Sequence, residues 1–277
     1  NEHPLLIAGD FVYFEPKDST VWKAGSQQEL QWHTLGTIPN VRLEYAVLEQ
    51  ASGPQPAPEP EFYVIQGTIP NKSSYTWTVP DRMGKGVIFR ISDVRDLAVS
   101  AVTQKPVEIT GDLAFKNFNS DAPWIVGDTQ KLQWTTSGSI PLVDLSYSLD
   151  GFQQDFHEIA KRIPNAGNYS WQVADAIANG VSIKVSDASN TDISAVSPLF
   201  NIRGTLQMLP PESPVFRIGE TRTLRWETNG PIPAVRLDYS KDQFQKDIHP
   251  IHGAVSNSGT FQWEVPDDVS EAVWIGV

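Results

Sequence analysis

The sequence predicts an all-β protein built from tandem antiparallel β-sandwich domains, and three observations support this fold class. A sixteen-residue segment occurs three times without a gap: LQWHTLGTIPNVRLEY from Leu30, LQWTTSGSIPLVDLSY from Leu132 and LRWETNGPIPAVRLDY from Leu224. Within each copy, apolar residues alternate with polar ones, which is the period of a strand with one buried and one solvated face. Glycine, proline, asparagine and aspartate separate the short segments and favour turns over helices.

The repeated segment predicts two strands and the turn that joins them. Leu30, Trp32 and Thr34 alternate with polar residues in the first copy, and the same alternation continues over residues 41–45. Between them, Gly-x-Ile-Pro supplies a glycine that tolerates positive φ and a proline that ends a hydrogen-bonded ladder. We therefore expect this segment to be the central pair of strands of each domain with their connecting turn.

The other strands of the first domain follow the same template. They are expected at residues 11–14, 21–23, 63–66, 75–79, 87–92 and 99–109. Seven or so short strands per repeat are typical of two antiparallel sheets packed face to face. The first repeat also contains a proline-rich insertion at residues 50–60, QASGPQPAPEP, which is expected to be an extended surface loop.

Three aromatic positions recur in register and predict the core of each domain. They are Trp32, Trp134 and Trp226; Tyr45, Tyr147 and Tyr239; and Trp77, Trp171 and Trp263. Burial of a large aromatic side chain contributes about 1.5–3 kcal/mol, against a total stability of about 5–15 kcal/mol for a domain. The repeated tryptophans therefore indicate an independent core in each repeat.

The repeat also predicts the domain boundaries. Residues 1–9 are expected to be the last strand of a preceding domain, because PLLIAG at residues 4–9 resembles PVEITG at residues 106–111 and PLFNIRG at residues 198–204. Further domains are expected at residues 10–110 and 111–203, and a domain lacking its last strand at residues 204–277. We expect the chain to be a segment of a longer array. The short connections between repeats predict contact between neighbours and a semi-rigid rod.

The composition limits the classes of partner. The net charge is −12 and the pI about 4.8, with acidic residues spread evenly over the repeats. An even negative field disfavours nucleic acid and anionic lipid, which need clustered Lys and Arg, and it attracts divalent cations. The chain has no cysteine, which excludes disulfides and thiolate metal sites. No apolar run is long enough to span a membrane, and residues 1–30 show no signal-peptide pattern.

Two kinds of residue are candidates for metal binding. His249 and His252 form a close pair, but His249 aligns with His157 and Tyr63 and is expected on a solvent face rather than in a metal site. Carboxylates cluster near turns at Asp150 with Asp155, Asp242 with Asp247, and Asp93, Asp96, Asp187 and Asp192. Hard cations favour such clusters, but none has EF-hand spacing and aspartate is a common turn residue. A structural calcium ion stays open without an assigned site, and no other cofactor is predicted.

Aromatic residues on an early strand are candidates for sugar binding. Trp22, Trp124 and Phe216 occupy equivalent positions, three residues before a glycine. Exposed rings at these positions would stack on sugars. The favoured interpretation is that they close the edge of each sandwich, because aromatic side chains bury a large apolar area.

Signals for modification and catalysis are weak or missing. Asn71 and Asn168 match the N-glycosylation sequon, but both lie at predicted turns, where asparagine is common. The sequence has no phosphate-binding loop, no Gly-x-Ser-x-Gly motif and no recurring set of Ser, His and Asp. We therefore expect no enzymatic activity and assign no catalytic residue.

Short motifs in a constant order give each repeat a resemblance to a known family. They are Val-Trp-x-x-Gly, Leu-x-Trp, Val-x-Leu-x-Tyr-Ser, Asn-x-Gly-x-Tyr-x-Trp, Val-x-Ile-x-Val-Ser-Asp and Ala-Val-Ser. Each repeat resembles the immunoglobulin-like repeats, similar in fold to fibronectin III domains, of prokaryotic cell-surface and secreted proteins. These repeats are related to a module of yeast cell-wall glucan-assembly proteins. The resemblance covers nearly the whole chain, and the first repeat departs from it at Tyr45-Ala46 and at the insertion.

This resemblance implies an extracellular location at the cell surface. The leading hypothesis is a non-catalytic structural protein, either a surface-layer (S-layer) subunit or an adhesin stalk. Its partners would be neighbouring domains, copies of itself in a surface lattice, or cell-wall glycans. The alternative is a set of polysaccharide-binding or spacer modules of a secreted hydrolase, and an intracellular scaffold is a third hypothesis. A fold of this kind does not by itself decide among them.

Overall fold

The computed structural model describes residues 8–16, 21–48 and 59–277, and these residues form twenty-four β-strands and no helix. The all-β fold class is therefore confirmed. Most of residues 1–9, the predicted strand of a preceding domain, and most of the proline-rich insertion at residues 50–60 lie outside the described residues.

The first sandwich consists of β1–β9. Its strands are β1 (Asp10–Pro16), β2 (Val21–Lys23), β3 (Gln27–Leu35), β4 (Asn40–Val47), β5 (Tyr63–Pro70), β6 (Ser74–Thr78), β7 (Gly84–Asp93), β8 (Asp96–Val102) and β9 (Val107–Thr110). One sheet has the order β1-β3-β6, and the other has the order β2-β9-β7-β4-β5 with β8 also paired to β7. All of these pairs are antiparallel except β2 with β9, which is parallel.

The second sandwich repeats this topology strand by strand. Its strands are β10 (Asp112–Phe115), β11 (Trp124–Ile125), β12 (Thr129–Ser137), β13 (Leu142–Ser148), β14 (His157–Pro164), β15 (Asn168–Gln172), β16 (Ala178–Asp187), β17 (Ser194–Val196) and β18 (Phe200–Arg203). The sheets have the orders β10-β12-β15 and β11-β18-β16-β13-β14, with β17 on β16. The predicted repeat in sequence is therefore also a repeat in topology.

The third sandwich has the same first sheet and a shorter second sheet. Its strands are β19 (Thr205–Met208), β20 (Thr221–Asn229), β21 (Ala234–Ser240), β22 (His249–Ser256), β23 (Thr260–Glu264) and β24 (Trp274–Gly276). The sheets have the orders β19-β20-β23 and β22-β21-β24. Residues 216–217, which align with β11, form no strand, and within the described residues no strand corresponds to β18, the parallel partner of β11.

The repeated segment forms two strands and a connecting turn, as predicted. The two strands, β3 and β4, lie in different sheets, and the Gly-x-Ile-Pro turn carries the chain from one sheet to the other. Gly36 adopts a φ of 78°, and Ile38 is buried at the end of the core. Each strand is central in its own sheet, since β3 lies between β1 and β6 and β4 lies between β7 and β5.

The prediction of a single strand at residues 99–109 is wrong, because this part of the chain forms two strands, β8 and β9. Both pair with β7, but at different parts of its length. The break falls at residues 103–106, where Pro106 has no N–H for a ladder. Thr103 instead bonds β7 twice, through its N–H to the Phe89 carbonyl at 2.9 Å and through its hydroxyl oxygen, which accepts the Phe89 N–H at 3.0 Å. The first two sandwiches therefore have nine strands each rather than seven or so.

The six predicted core tryptophans are buried, whereas of the three predicted core tyrosines only Tyr239 is buried, and Tyr45 and Tyr147 are half-buried against the core. Trp32, Trp134 and Trp226 lie between the two sheets of their own sandwich and are at most 3% exposed. The first and second sandwiches each enclose one large cluster of buried side chains, whereas the third encloses two small clusters. The difference follows from the short second sheet of the third sandwich, which lacks the inward side chains that β11 and β18 contribute to the second.

Candidate functional site

The candidate sugar-binding aromatics are mostly part of the core. Trp22 is 1% exposed and lies 6.1 Å from Trp77 between ring centroids, while Trp124 is 5% exposed and lies 4.2 Å from Phe200. Burial of both rings confirms the interpretation that they close the sandwich edge. Phe216 is half-buried, because no strand covers it. Neither Trp22 nor Trp124 can stack on a sugar without unfolding its surroundings.

The predicted acidic cluster of the second sandwich is a closed loop that satisfies its own hydrogen bonds. The Asp150 carboxylate accepts the Ser148 hydroxyl at 2.8 Å and the backbone N–H groups of Gln153, Gln154 and Asp155 at 2.8–3.1 Å. Burial raises the pKa of Asp150, but these hydrogen bonds outweigh it, so its pKa lies below the ordinary aspartate value. Both Asp150 oxygens thus accept hydrogen bonds from N–H and O–H donors. This arrangement stabilises the ionised carboxylate by hydrogen bonds rather than by a metal ion.

The third sandwich contains the same loop. Asp242 accepts the Ser240 hydroxyl at 2.9 Å and three backbone N–H groups, those of Gln245, Lys246 and Asp247. The Lys241 N–H donates to Asp247 at 2.8 Å, which is the largest cause of the lowered pKa of that carboxyl. Over residues 8–16, 21–48 and 59–277, no group of three His, Cys, Asp or Glu side chains could hold a metal ion.

The histidines that were expected on a solvent face are half-buried instead. His157 stacks on Tyr147 at 4.6 Å and bonds Asp155 at 2.8 Å, and His249 stacks on Tyr239 at 4.8 Å. Each histidine therefore contacts both an aspartate of the acidic loop and a tyrosine that packs against the core of its sandwich. His252 is exposed and lies near Phe261 rather than in a ligand cluster.

An asparagine connects each core tryptophan to the Gly-x-Ile-Pro turn. The Trp134 Nε1–H donates to Asn165 Oδ1 at 2.8 Å, and Asn165 Nδ2 donates to the Ile140 carbonyl at 2.9 Å. The same pair of bonds recurs for Asn71 and Asn257 in the other sandwiches. The sequence identified Asn71 as part of a sequon and as a turn residue, but not as the partner of a tryptophan; the available signal for that role was an asparagine at the same place in each repeat. Its amide is already bonded within the fold.

Consecutive sandwiches meet at a joint that the sequence analysis did not resolve. At the first joint, Met83 from the loop before β7 packs against the core of the second sandwich. A Cβ placed on Gly111 or on Gly138 would lie 2.9 Å from the Met83 sulfur, so both positions require glycine for this contact. Gly111 is the single residue between β9 and β10, and Gly138 begins the turn of the second sandwich.

Polar contacts add to the first joint. Lys23 at the end of β2 forms an ion pair with Asp112 at 2.7 Å. The Ser139 hydroxyl donates to the Asp81 carbonyl at 3.1 Å. This ion pair is exposed and contributes little stability, but it joins the end of β2 in the first sandwich to the start of β10 in the second.

The second joint repeats the apolar contact of the first. Ile177 occupies the position of Met83, and a Cβ on Gly204 would lie 2.9 Å from Ile177 Cδ1. Gly230 of the next turn has the same neighbour at 3.3 Å. The Asn229 amide of the third sandwich donates to the Val126 carbonyl of the second at 2.6 Å. Both joints therefore use one apolar loop side chain against one glycine and one turn.

The third sandwich has an open sheet edge. In the first two sandwiches the strand equivalent to β24 pairs with a last strand, and Val87 and Val181 at its start are 0% exposed. The equivalent Val273 is 43% exposed, because within the described chain no strand lies beside β24 on the side away from β21. We call this side of β24 the open edge.

A groove of about 700 Å³ runs beside the open edge. Phe216, Tyr239, Trp263, Val269 and Trp274 are among the residues that line it. Val269 occupies the position of Met83 and Ile177 in the joints, and it is 83% exposed. The groove therefore presents the sandwich interior at the place where the second sandwich has β18.

Comparisons with known proteins assign no family to the chain. No protein-family model matches it, and no curated protein matches it. Among solved structures, it is similar to a tetra-tandem repeat in the extending region of a large adhesion protein, with 17% identity and a TM-score of 0.31 over 94% of this chain and 66% of that one. The chain thus spans slightly less than two thirds of that structure.

Two further structures are similar to the chain. Fibronectin(III)-like modules of Clostridium thermocellum CbhA match with 12% identity and a TM-score of 0.22, over 69% of this chain and 95% of theirs. A Dscam isoform structure matches with 10% identity and a TM-score of 0.30, over 96% and 67%.

The strand order identifies the fold. Two sheets of the orders β1-β3-β6 and β2-β9-β7-β4-β5, packed over a tryptophan core, are those of an immunoglobulin-like sandwich. The chain is therefore a tandem array of immunoglobulin-like, fibronectin-III-like β-sandwiches. The described part of the chain includes no helix that is long and apolar enough to cross a bilayer.

Proposed function

We propose that this chain is a non-catalytic structural protein of the cell exterior, in which tandem immunoglobulin-like domains at residues 10–110, 111–203 and 204–277 form a semi-rigid spacer. Its role would be that of a surface-layer subunit or an adhesin stalk. The observation that carries the proposal is the repeated joint, in which Met83 and Ile177 pack against the next sandwich across a one-residue connection.

The joint supports a spacer role because it restricts bending. A single residue, Gly111 or Gly204, separates the last strand of one sandwich from the first strand of the next. A connection this short keeps neighbouring domains in contact, and the packed side chain fixes how they meet. A protein that only tethered two partners would need neither feature.

The chain path suits a protein that bears load. The last strand β9 leads directly into β10, and its neighbour β2 near the start of the same sandwich is parallel to it. Tension along the array pulls these two strands in opposite directions, so their hydrogen bonds are loaded together rather than one after another. The β11–β18 pair repeats the arrangement in the second sandwich.

The test measures rigidity across each joint. Because the chain has no cysteine, Lys72→Cys with Lys161→Cys introduces a unique label pair across the first joint, at exposed positions. Lys161→Cys with Lys246→Cys does the same across the second joint. Pulsed electron spin resonance should give one narrow distance distribution for each pair. Broad distributions would contradict the spacer role.

Location and ligand need separate measurements. Protease treatment of intact source cells should remove the protein, as expected for a protein of the cell exterior, and its survival would contradict that location. Specific binding to cell-wall polysaccharide would favour the alternative of glycan-binding modules. Burial of Trp22 and Trp124 gives that alternative no aromatic platform at these two positions.

A further inference from the structure

We infer that the outer face of the larger sheet in the second sandwich binds one neutral sugar ring. The inference goes beyond the proposed spacer function, because a spacer needs no ligand. A hollow in this face carries it, since the hollow combines an exposed aromatic ring with polar side chains that have no partner within the described chain.

The hollow lies on the side of β13, β14 and β16 that faces away from the core. Its volume is about 160 Å³, and its lining includes the side chains of Ser146, Phe156 and Ser186 together with four charged side chains. Pockets that enclose drug-sized ligands have volumes of about 300–1,000 Å³. The smaller hollow therefore limits the occupant to a single ring-sized group.

Two serine hydroxyls open into the hollow without a hydrogen-bond partner. Ser146 and Ser186 follow the core residues Leu145 and Val185 along their strands, so their side chains point to the opposite face. Both serines are 5% exposed, and neither hydroxyl forms a hydrogen bond to another described residue. Unlike the fully enclosed Ser182 hydroxyl, they reach the hollow. A ligand hydroxyl would supply the missing partner.

The four charged side chains around the hollow also lack an ion-pair partner in the described chain. They are Asp144, Glu158, Lys161 and Lys184. Strand register places Asp144 opposite Ser186, and Lys184 opposite Ser146. Two carboxylates and two ammonium groups give the hollow no net charge, so it does not favour an anion or a cation. They offer both acceptors and donors, which suits a ligand whose hydroxyls donate and accept.

Phe156 supplies an aromatic ring at the hollow. It lies immediately before β14 and is 63% exposed. The face of an aromatic ring is negative and attracts groups that carry partial positive charge, such as the C–H groups on one face of a pyranose. An exposed ring beside free hydroxyls and balanced charges therefore matches a neutral sugar, whose C–H face would pack on Phe156 and whose hydroxyls would bond the polar groups.

The equivalent face of the first sandwich is closed. There Glu44 is 4% exposed, and Arg42 and Arg90 bind its two carboxylate oxygens at 2.7–2.9 Å. The Arg90 guanidinium also covers the ring of Phe62, which occupies the position of Phe156, at 3.9 Å from the ring centroid. The fold itself therefore requires neither an exposed ring nor unpaired polar groups at this place.

The third sandwich lacks the ring. Ile248 occupies the position of Phe156, and Asp238, at the position of Ser146, is paired with Arg236 at 2.8 Å. The sugar site is therefore specific to the second sandwich. This restriction distinguishes it from a set of polysaccharide-binding modules, in which each sandwich would bind.

The test is saturation-transfer difference NMR on the full 277-residue chain, with the methyl glycosides of glucose, galactose, mannose and N-acetylglucosamine as probes. We expect saturable binding of one or more of them. Phe156→Ala should weaken it by about ten-fold or more, because the packing surface is lost. The exposed side chain allows this variant to fold, which thermal unfolding checks. The matched control, Phe62→Ala, should leave binding unchanged.

Charge changes test the class of ligand. The wild type should bind glucuronic acid and glucosamine more weakly than the neutral sugars, since each charged sugar meets two like charges. Asp144→Asn with Glu158→Gln should shift the preference towards glucuronic acid. Lys161→Gln with Lys184→Gln should shift it towards glucosamine.

Several results would overturn the inference. They are the absence of saturable binding by all four neutral probes, equal binding by the wild type and Phe156→Ala, equal losses in Phe156→Ala and Phe62→Ala, or a wild type that prefers a charged sugar. Self-association that Phe156→Ala abolishes, in place of sugar binding, would overturn it too, because the ring would then serve a protein contact. The distances across the joints are measured without a sugar, so each of these results leaves the spacer proposal to its own test.

Discussion

At the residue scale, the asparagine of each tryptophan–asparagine pair joins two parts of the sandwich that are distant in sequence. Asn165 accepts from the Trp134 indole in the core and donates to Ile140 in the turn that receives Met83. Because the turn is also half of a joint, this asparagine connects core packing to the contact between domains. The repeated aromatic spacing predicted the tryptophans, but their partner could not be predicted, since it lies 31 residues away in the second sandwich.

Asn165→Ala should lower the free energy of unfolding of the second sandwich by about 1–3 kcal/mol, because the change leaves the Trp134 N–H and the Ile140 carbonyl without a partner. Hydrogen exchange of the β12 amides measures this sandwich separately. The control is Asn168→Ala, where the amide donates only to the Ala166 carbonyl and is exposed. That change should cost less than about 0.5 kcal/mol. Equal effects of the two variants would refute the role of Asn165.

The buried Ser182 hydroxyl is expected to lower the stability of the second sandwich. Its hydroxyl is the one buried side-chain oxygen in the described chain that has no hydrogen-bond partner, and the first sandwich has Ile88 at the same position. Ser182→Ala should therefore raise the stability of the second sandwich by about 1 kcal/mol. Ser148→Ala is the control, because its hydroxyl bonds Asp150 and its removal should destabilise. A loss of stability in Ser182→Ala, measured by the same exchange experiment, would count against this interpretation.

At the element scale, periodicity predicted where strands occur but not which strands are neighbours. The alternating residues of β3, β4 and β7 were identified because alternation is a local property. The placement of β3 and β4 in different sheets depends on partners far along the chain, so the pattern alone did not assign either strand to a sheet. The division into β8 and β9 involves the hydrogen bond between Phe89 and Thr103, which depends on a distant partner, whereas Pro106 in the break was an available local signal. The aspartates in the loop after β13 predicted a turn. The structure adds that backbone N–H groups and a serine hydroxyl of the same segment donate hydrogen bonds to these aspartates.

The acidic loops make the second and third sandwiches sensitive to low pH. The pKa values of Asp150 and Asp242 in the folded chain lie below the ordinary value, so the unfolded chain binds protons more readily. Their contribution to stability is present above the unfolded pKa of about 3.9 and is lost as the pH falls through the lower folded pKa. Asp150→Asn should therefore flatten the loss of stability of the second sandwich between neutral and acidic pH.

Thermal unfolding at several pH values, followed by hydrogen exchange for each sandwich, measures this effect. The control is Asp175→Asn, an exposed aspartate outside the loop, which should leave the pH dependence unchanged. A pH profile that is the same for wild type and Asp150→Asn would mean that the loop aspartate does not govern acid stability.

At the scale of the whole molecule, one apolar position recurs in all three sandwiches but in two different situations. Met83 and Ile177 are covered by the following sandwich, whereas Val269 is exposed. The short connections between repeats predicted contact between neighbours. The side chain that makes the contact was not predicted, because its partner is a turn of another domain. The recurrence of an apolar residue in the loop before β7, β16 and β24 was the available signal.

This recurrence allows one substitution to be compared at three places. Ile177→Ser should broaden the distance distribution between labels at Lys161→Cys and Lys246→Cys, because the second joint loses its apolar contact. Met83→Ser should do the same across the first joint. Val269→Ser should leave both distributions narrow, since Val269 is 83% exposed and lies at neither of the two joints. If Val269→Ser broadened a joint, or if Ile177→Ser left the second joint narrow, rigidity would have to come from the short connections alone.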